Sequence, residues 1–92
     1  MIRSFRHTGL RQFFETGSRA GIQPKHATRL RLQLARLNVS VVPADMDLPG
    51  WRFHPLKGQM SGRFSVWVDE NWRLTFAFDG AHAILVDYCD YH

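Results

Sequence analysis

The amino-acid sequence predicts an α+β domain in which two N-terminal helices pack on one face of a mostly antiparallel sheet. Two observations support this prediction. Apolar residues recur with helical spacing in two segments of the first half, whereas the second half alternates apolar and polar residues with a period of two. The 92 residues suffice for one modest core, so we expect a single domain spanning residues 1–92.

The first half of the chain predicts a short strand and two helices. Residues 2–5 alternate and can add a strand to the sheet. The first helix is expected to have Thr8 as its N-cap and to end at Gly17. Pro24 predicts the start of the second helix, because proline fits a first helical turn. The apolar stripe of this helix comprises Ala27, Leu30, Leu34 and Leu37.

The middle of the chain predicts a loop followed by a short strand. Prolines and aspartates in residues 38–50 oppose regular structure, apart from one helical turn at residues 44–47. Residues 51–56 alternate again and predict a strand. Pro55 has no N–H to donate, so this strand should be short, at an edge, or broken there.

The last third predicts an antiparallel meander formed by residues 63–69, 72–78 and 83–91. Asp79-Gly80 supplies the positive φ angles of a tight primed turn between the second and third runs. One face of this meander is apolar and needs the helices as its cover. In the third run, alternation places Ile84, Val86 and Tyr88 on that face.

The opposite face collects polar side chains that suit cleavage of a phosphodiester. It carries Arg52, His54, Arg63, Ser65, Arg73, Thr75, Asp87, Cys89 and Tyr91. Arginines stabilise the charge of a pentacovalent phosphorane, and histidines transfer protons near neutral pH. In RNA the neighbouring 2′-hydroxyl can be the nucleophile, so neither a metal ion nor a protein nucleophile is required.

Several of these residues have a purely structural alternative. Arg63 and Arg73 can be solvated or salt-bridged, and His54 can cap a strand end. Tryptophans more often pack than bind bases, although Trp67 has the parity of the polar face. Asp87, Asp90 and His92 match no strong metal-ligand pattern, so we expect no metal site and no cofactor.

Charge and composition indicate the kind of partner and the compartment. The net charge is +4, and residues 1–36 hold eight Lys or Arg against one acid, which favours a nucleic-acid partner over a merely solvated surface. A single cysteine excludes an internal disulfide and fits a reducing compartment. The chain has no secretory signal and no run of roughly 18 apolar residues, so we expect a cytoplasmic protein without a membrane partner.

Six short motifs carry a family resemblance. They are residues 2–7 (IRSFRH), 24–27 (PKHA), 48–50 (LPG), 54–58 (HPLKG), 71–76 (NWRLTF) and 90–92 (DYH). Together they span essentially the whole chain, and they resemble the HigB toxins of the RelE/ParE toxin–antitoxin superfamily. The resemblance implies a RelE-like fold with a curved sheet and a ribosome-dependent endoribonuclease that cuts mRNA in the decoding site. It also implies a HigA-type helix-turn-helix antitoxin as partner, with operator DNA bound only through the complex.

The resemblance also implies roles for particular residues. The implied catalytic set is His54, Asp90, Tyr91 and His92. One of His54 and His92 would take the 2′-hydroxyl proton, the other or Tyr91 would protonate the leaving 5′-oxygen, and Asp90 would orient or tune a histidine. The residues expected to bind phosphate or RNA are Lys57, Arg63 and Arg73. Those expected to contact ribosomal RNA are Lys25, Arg29, Arg31 and Arg36.

A second function class fits the same fold. The chain could be a toxin without nuclease activity, acting on gyrase as in the ParE branch, or a plain RNA-binding module. The terminal Tyr91 and His92 favour the nuclease, because a gyrase poison does not need acid–base groups. Neither helix has the pattern of a helix-turn-helix, which disfavours a DNA-binding regulator acting alone.

Overall fold

The computed structural model describes residues 1–91 and contains both predicted helices, α1 (Thr8–Thr16) and α2 (Ala27–Val39). The N-cap predicted at Thr8 is wrong by one residue. His7 Nδ1 accepts a hydrogen bond from the backbone N–H of Leu10 at 2.9 Å, so His7 is the cap and Thr8 is already helical. Gly17 ends α1 as predicted, with φ of 80° and its N–H bonded to the Phe13 carbonyl.

A 3₁₀ turn over Pro24–His26 leads directly into α2, so the proline stands at the start of the helical segment as predicted. The predicted stripe is confirmed by the burial of Ala27, Leu30, Leu34 and Leu37. Gln33 is also fully buried, and its side-chain amide donates to the Trp67 carbonyl at 2.7 Å. The hydropathy pattern did not identify Gln33, because it counts only apolar residues. The burial of this side chain depends on a hydrogen-bond partner that is distant in the sequence.

Four antiparallel strands form the sheet in sequence order. They are β1 (His54–Pro55), β2 (Phe64–Trp67), β3 (Trp72–Asp79) and β4 (His82–Asp90). β1 is a two-residue edge strand, shorter than the strand predicted over residues 51–56 but in line with the limit expected from Pro55. Further 3₁₀ turns cover Pro43–Met46, near the one predicted at residues 44–47, and Gly58–Met60.

The N-terminal residues pair with β4 only through isolated contacts. Ile2 forms a parallel bridge with Ala83, and Phe5 forms another with Val86. The strand predicted for residues 2–5 therefore lies beside the sheet, as two parallel bridges instead of a continuous strand. This segment borders β4 on the side away from β3.

The turn between β3 and β4 lies one residue later than predicted. Asp79 and His82 still pair across the strands, so the loop consists of Gly80 and Ala81. Gly80 has φ of 60°, whereas Ala81 does not have a positive φ. A glycine at the first loop position is typical of a type II′ hairpin, which needs a positive φ only there.

A β-bulge in β4 overturns part of the predicted alternation. Thr75 pairs with Asp87, but Ala77 pairs with Ile84, so β4 has one extra residue at this point. Leu85 lies in the bulge with φ of 56°. Because of the bulge, the β4 residues that precede Leu85 face the side of the sheet opposite to the one that alternation predicted. Ala83, which is fully buried, therefore takes the core position that alternation predicted for Ile84.

The two helices and the sheet share one hydrophobic core. α1 contributes Leu10 and Phe13, α2 contributes its apolar stripe, and the 3₁₀ turn at Pro43–Met46 adds Met46, which is fully buried. Across residues 1–91, no helix is long and apolar enough to cross a membrane. The helices cover one face of the sheet, which leaves the opposite face for the candidate site.

Candidate functional site

The face of the sheet opposite the helices, called the open face below, carries two rows of side chains across the strands. The strand register aligns His54, Ser65, Thr75 and Asp87 in one row. It aligns Trp67, Arg73 and Cys89 in the next. The strand pairing thus confirms that residues predicted to share the polar face are neighbours.

His54 is exposed at the edge of the open face, and its ring has a defined orientation. Its Nδ1 lies 3.1 Å from the carbonyl oxygen of Arg52. Because a carbonyl oxygen only accepts hydrogen bonds, Nδ1 carries the proton in this contact. Nε2 of the neutral ring is then an acceptor, and the Ser65 hydroxyl lies 3.4 Å from both ring nitrogens, so it is not directed at Nε2 in particular. His54 can therefore take a proton from a substrate at Nε2.

The middle of the first row is closed to solvent. Ser65 and Thr75 are fully buried although they lie on the open face. Burial, and to a smaller extent the neighbouring Asp87 carboxylate, raise the pKa of the Cys89 thiol to about 11. The thiol is therefore protonated at neutral pH and is a poor nucleophile.

Arg73 lies at the centre of the open face and is nearly buried, with 9% of its surface exposed. Its Nη1 donates to the carbonyl oxygens of Asp69, Glu70 and Trp72 at 2.7, 2.9 and 3.2 Å. These carbonyls belong to the turn between β2 and β3 and to the start of β3. Arg73 thus fixes this turn in addition to placing a positive charge on the open face.

Four side chains form a cation–π arrangement across the sheet, called the stacked row below. The guanidinium carbons of Arg52 and Arg73 each lie 4.2 Å from the ring centre of Trp67. The Arg73 guanidinium carbon also lies 5.3 Å from the ring centre of Tyr91. The row therefore consists of Tyr91, Arg73, Trp67 and Arg52, one from each strand or its flanking residue. Sequence parity placed Trp67, Arg52 and Arg73 on this face, but it did not predict that the two guanidinium groups stack on the Trp67 ring.

Tyr91 is held at the end of β4 with its phenol on the open face. Its backbone N–H donates to the Asn71 carbonyl at 2.5 Å, and 44% of its surface is exposed. Desolvation raises the pKa of the phenol, the charges of Cys89 and Asp87 raise it further, and Arg73 opposes them. The phenol is therefore a proton donor at neutral pH.

The structure separates Asp90 from Tyr91. Asp90 pairs with Trp72, and its charge helps to raise the pKa of Tyr88, on the helix side of the sheet. Strand alternation thus places the Asp90 and Tyr91 side chains on opposite sides at the end of β4. His92, the fourth member of the predicted catalytic set, lies outside the residues that the structure describes.

The predicted phosphate- and RNA-binding residues differ in how accessible they are. Lys57 is exposed in the turn after β1, and Arg63 is half-buried with its guanidinium against the Met60 sulfur at 3.5 Å. On the helices, the exposed members of the predicted set are Lys25, Arg31 and Arg36. Arg29 is half-buried and donates to the carbonyls of Trp67 and Gly50, so it joins α2 to the sheet.

A second histidine, which the sequence patterns did not single out, lies in a hydrogen-bonded group on the helix side of the sheet. His26 is 2% exposed; its Nε2 lies 2.6 Å from Asp69 Oδ2, and its Nδ1 lies 2.5 Å from the Tyr88 hydroxyl. These three residues are called the helix-side network below. The ring of Trp72 covers Tyr88, with 4.4 Å between ring centres.

Asp69 is the charged member of this network. Burial raises the pKa of its carboxyl, but hydrogen bonds from His26 and from the N–H groups of Asn71 and Trp72 outweigh burial and lower the pKa to about 2. In the sequence, His26 lies within the PKHA motif and alternation placed Tyr88 on the helix-covered face, but no pattern linked either residue to Asp69. Over the described part of the chain, no group of three His, Cys, Asp or Glu side chains is arranged to hold a metal ion.

Several solved bacterial proteins share this fold. The YoeB–YefM complex from Staphylococcus aureus contains a chain with a TM-score of 0.66 and 15% identity, covering 100% of this chain and 98% of that one. A YoeB/ParE toxin from Agrobacterium tumefaciens gives a TM-score of 0.63 at 15% identity, with 100% and 99% covered. At these identities the likeness concerns the fold alone, and it confirms the predicted RelE-like α+β architecture.

Sequence comparison identifies the family within this fold. A family model described as the RelE-like toxin of the type II toxin–antitoxin system HigB matches residues 3–92. Endoribonuclease HigB from Proteus vulgaris is 35% identical over 92 residues, covering 100% of both chains. The chain belongs to the HigB-like toxin family, and it is the toxin of a type II toxin–antitoxin pair. The resemblance found in the six motifs is thereby confirmed.

Proposed function

We propose that this toxin is a ribosome-dependent endoribonuclease that cleaves mRNA in the decoding site and thereby inhibits translation. The observation that carries the proposal is the exposed His54 ring, whose Nε2 is oriented as a proton acceptor on the same face as the Tyr91 phenol. Kinship with Endoribonuclease HigB supports RNA as the substrate. Arginine and lysine side chains around this face supply the positive charge that a phosphodiester requires.

In the proposed reaction the RNA supplies its own nucleophile. The 2′-oxygen attacks the adjacent phosphorus while His54 Nε2 accepts the 2′-hydroxyl proton. The bond from phosphorus to the 5′-oxygen breaks, and the Tyr91 phenol or His92 donates a proton to that leaving oxygen. The products are a 2′,3′-cyclic phosphate and a 5′-hydroxyl. These proton transfers use side chains alone, so we propose a mechanism that is independent of metal ions.

The remaining residues of the site have supporting roles. Lys57 is exposed and binds the scissile phosphate, and Arg63 is assigned to the neighbouring RNA backbone. Arg73 contributes its charge to the phosphorane and holds Tyr91, because its Nη1 is already bonded to three carbonyls. Asp90, at the end of β4 and adjoining Tyr91 and His92 in the chain, orients or tunes His92.

The partners follow from the family and from the charge of the helices. Lys25, Arg31 and Arg36 contact ribosomal RNA in the cytoplasm, and Arg29 instead joins α2 to the sheet. Ribosome binding should therefore weaken steeply between 50 and 200 mM salt, because phosphate contacts release counterions. A HigA-type helix-turn-helix antitoxin neutralises the toxin, and the complex binds operator DNA through the antitoxin.

The test is controlled expression followed by primer extension on a translated mRNA. Wild type should arrest growth and give new 5′ ends within codons, whereas His54→Ala and His92→Ala should give neither. His82→Ala is the matched control, since His82 lies at the β3–β4 turn against Arg3. Growth arrest without new mRNA ends would contradict the nuclease and favour a gyrase-like target. A 3′ end other than a 2′,3′-cyclic phosphate would contradict attack by the 2′-hydroxyl.

A further inference from the structure

The stacked row ends at an exposed cation that the proposed reaction does not use. Arg52 is exposed, and its guanidinium lies over the Trp67 ring at the β1 edge of the sheet. A guanidinium stacked on an aromatic ring keeps a second planar face and several N–H donors for another ligand. Nucleobases stack on such a plane, and phosphates accept from such donors.

The backbone at Arg52 adopts a conformation that ordinary side chains avoid. Its φ is 51°, in the left-handed region that favours glycine, asparagine and aspartate. Strain of this kind concentrates at functional sites, where the surrounding structure maintains it. Here the same residue presents its side chain to Trp67 and its carbonyl to His54 Nδ1. The strained residue thus links the stacked row to the proposed general base.

The platform beneath Arg52 is held rigidly. The Trp67 carbonyl accepts hydrogen bonds from Arg29 and Gln33 of α2, at 3.0 Å and 2.7 Å for the shortest contacts. The Trp67 N–H donates to the Trp51 carbonyl at 2.7 Å. These bonds fix the Trp67 backbone, and the nearly buried Arg73 guanidinium packs on the Trp67 ring itself. The ring therefore positions the Arg52 guanidinium before any ligand arrives, which lowers the entropy lost on binding.

We propose that Arg52 and Trp67 form a nucleotide-binding subsite for the mRNA, next to the nucleotide that is cleaved. The base stacks on the outer face of the Arg52 guanidinium, and the guanidinium N–H groups bind its phosphate. Trp67 is a positioning residue that acts through Arg52. Arg52 and His54 are two residues apart, at most about 7 Å along the chain, a separation that adjoining nucleotides can span. The subsite rests on the proposed RNA cleavage and adds a contact on the substrate side.

Equilibrium binding tests the subsite without depending on cleavage. The probe is a ribosome programmed with an mRNA whose codon carries 2′-O-methyl groups, which cannot supply the attacking hydroxyl. Arg52→Ala should weaken toxin binding about 5- to 10-fold. Arg52→Lys keeps the charge without the planar group and should recover only part of this loss. Arg19→Ala, which removes an exposed arginine from the loop between the helices, is the matched control and should bind like wild type.

Trp67 variants and an abasic mRNA separate base stacking from simple attraction of charge. Trp67→Leu should weaken binding as Arg52→Ala does, and Trp67→Phe should restore part of it. One abasic position in the codon should weaken wild-type binding yet leave Arg52→Ala binding unchanged, because the contact is already lost. Equal binding by Arg52→Ala and wild type would overturn the subsite, as would an abasic penalty that is the same in both. Cleavage of an unmodified mRNA by wild type, measured in parallel, reports separately on the proposed nuclease.

Discussion

The open face and the helix side of the sheet each carry a histidine and a tyrosine, but the two histidines differ in exposure. On the helix side, His26 is 2% exposed and both ring nitrogens have partners, Asp69 and Tyr88. On the open face, His54 is exposed and its best hydrogen bond, 3.1 Å to the Arg52 carbonyl, uses only Nδ1. The two histidines therefore occupy a buried and an exposed environment, and we expect them to have different roles.

A histidine that is buried and fully bonded stabilises structure, whereas one that is exposed and half-bonded can exchange protons with a substrate. The β2–β3 turn connects the two environments. Asp69 uses its carboxylate on the helix side and its carbonyl to accept from Arg73 on the other. The helix-side network thus anchors the turn that fixes Arg73 and, through the Asn71 carbonyl, Tyr91.

The largest effect expected from this comparison is on catalysis at the open face. His54→Ala should lower the rate of mRNA cleavage on programmed ribosomes by about 10²- to 10⁴-fold, the range for losing a general base. Because the side chain is exposed, the free energy of unfolding should change by no more than about 0.5 kcal/mol. Urea denaturation beside the cleavage assay checks both. A large fall in stability would mean that the open face is structural as well.

His26→Ala should show the reverse pattern. It leaves the Asp69 carboxylate and the Tyr88 hydroxyl without their partner and creates a cavity, which should cost about 2–4 kcal/mol. For a domain of this size the melting temperature should fall by roughly 10 °C or more. At a temperature where the variant is folded, its cleavage rate should fall far less than that of His54→Ala, because the network acts on the site only through the β2–β3 turn. Stability like that of wild type with cleavage lost would place the helix-side network in the reaction instead.

The pH dependence of the free energy of unfolding tests whether Asp69 stabilises the fold through its negative charge. Its pKa is lowered from 3.8 to about 2 in the folded state, so the charged form stabilises folding above pH 4. This contribution is lost as pH falls through the folded pKa. Asp69→Asn removes it, and the gap in unfolding free energy between wild type and variant should shrink between about pH 4 and pH 2. A gap that stays constant with pH would show that Asp69 acts only through packing.

Sequence patterns predicted the elements whose side chains repeat. The α2 stripe, Gly17 as helix end and Pro55 at an edge strand all follow from local rules, and each is confirmed. The patterns failed at single residues. His7 replaced Thr8 as cap, and the bulge at Leu85 exchanged Ile84 for Ala83 in the core. The cap and the bulge each depend on the backbone conformation of a single residue, which does not change the periodic pattern of apolar residues.

The candidate site was predictable as a set of residues on one face and not as a set of contacts. Alternation placed Trp67 and Arg73 there, but Arg73 turned out to be nearly buried and bonded to the β2–β3 turn. In the helix-side network, His26 contacts Asp69, which is 43 positions away in the sequence, and Tyr88, which is 62 positions away. Contacts at such separations depend on the packed fold, and no spacing rule along one chain reports them.

The smallest predicted effect concerns backbone strain and compares two variants that both lack the Arg52 guanidinium. Arg52→Asn and Arg52→Ala should weaken binding to the programmed ribosome equally, because each removes the stacking plane. They should differ in stability. Asparagine tolerates the left-handed conformation at φ of 51° better than alanine, so Arg52→Asn should be more stable by about 0.5–1 kcal/mol in urea denaturation. Equal stability would mean that the backbone at residue 52 relaxes once the arginine is removed. A difference in the expected direction would mean that the fold itself imposes the strain, and that arginine stands there for its contacts despite an unfavourable backbone conformation.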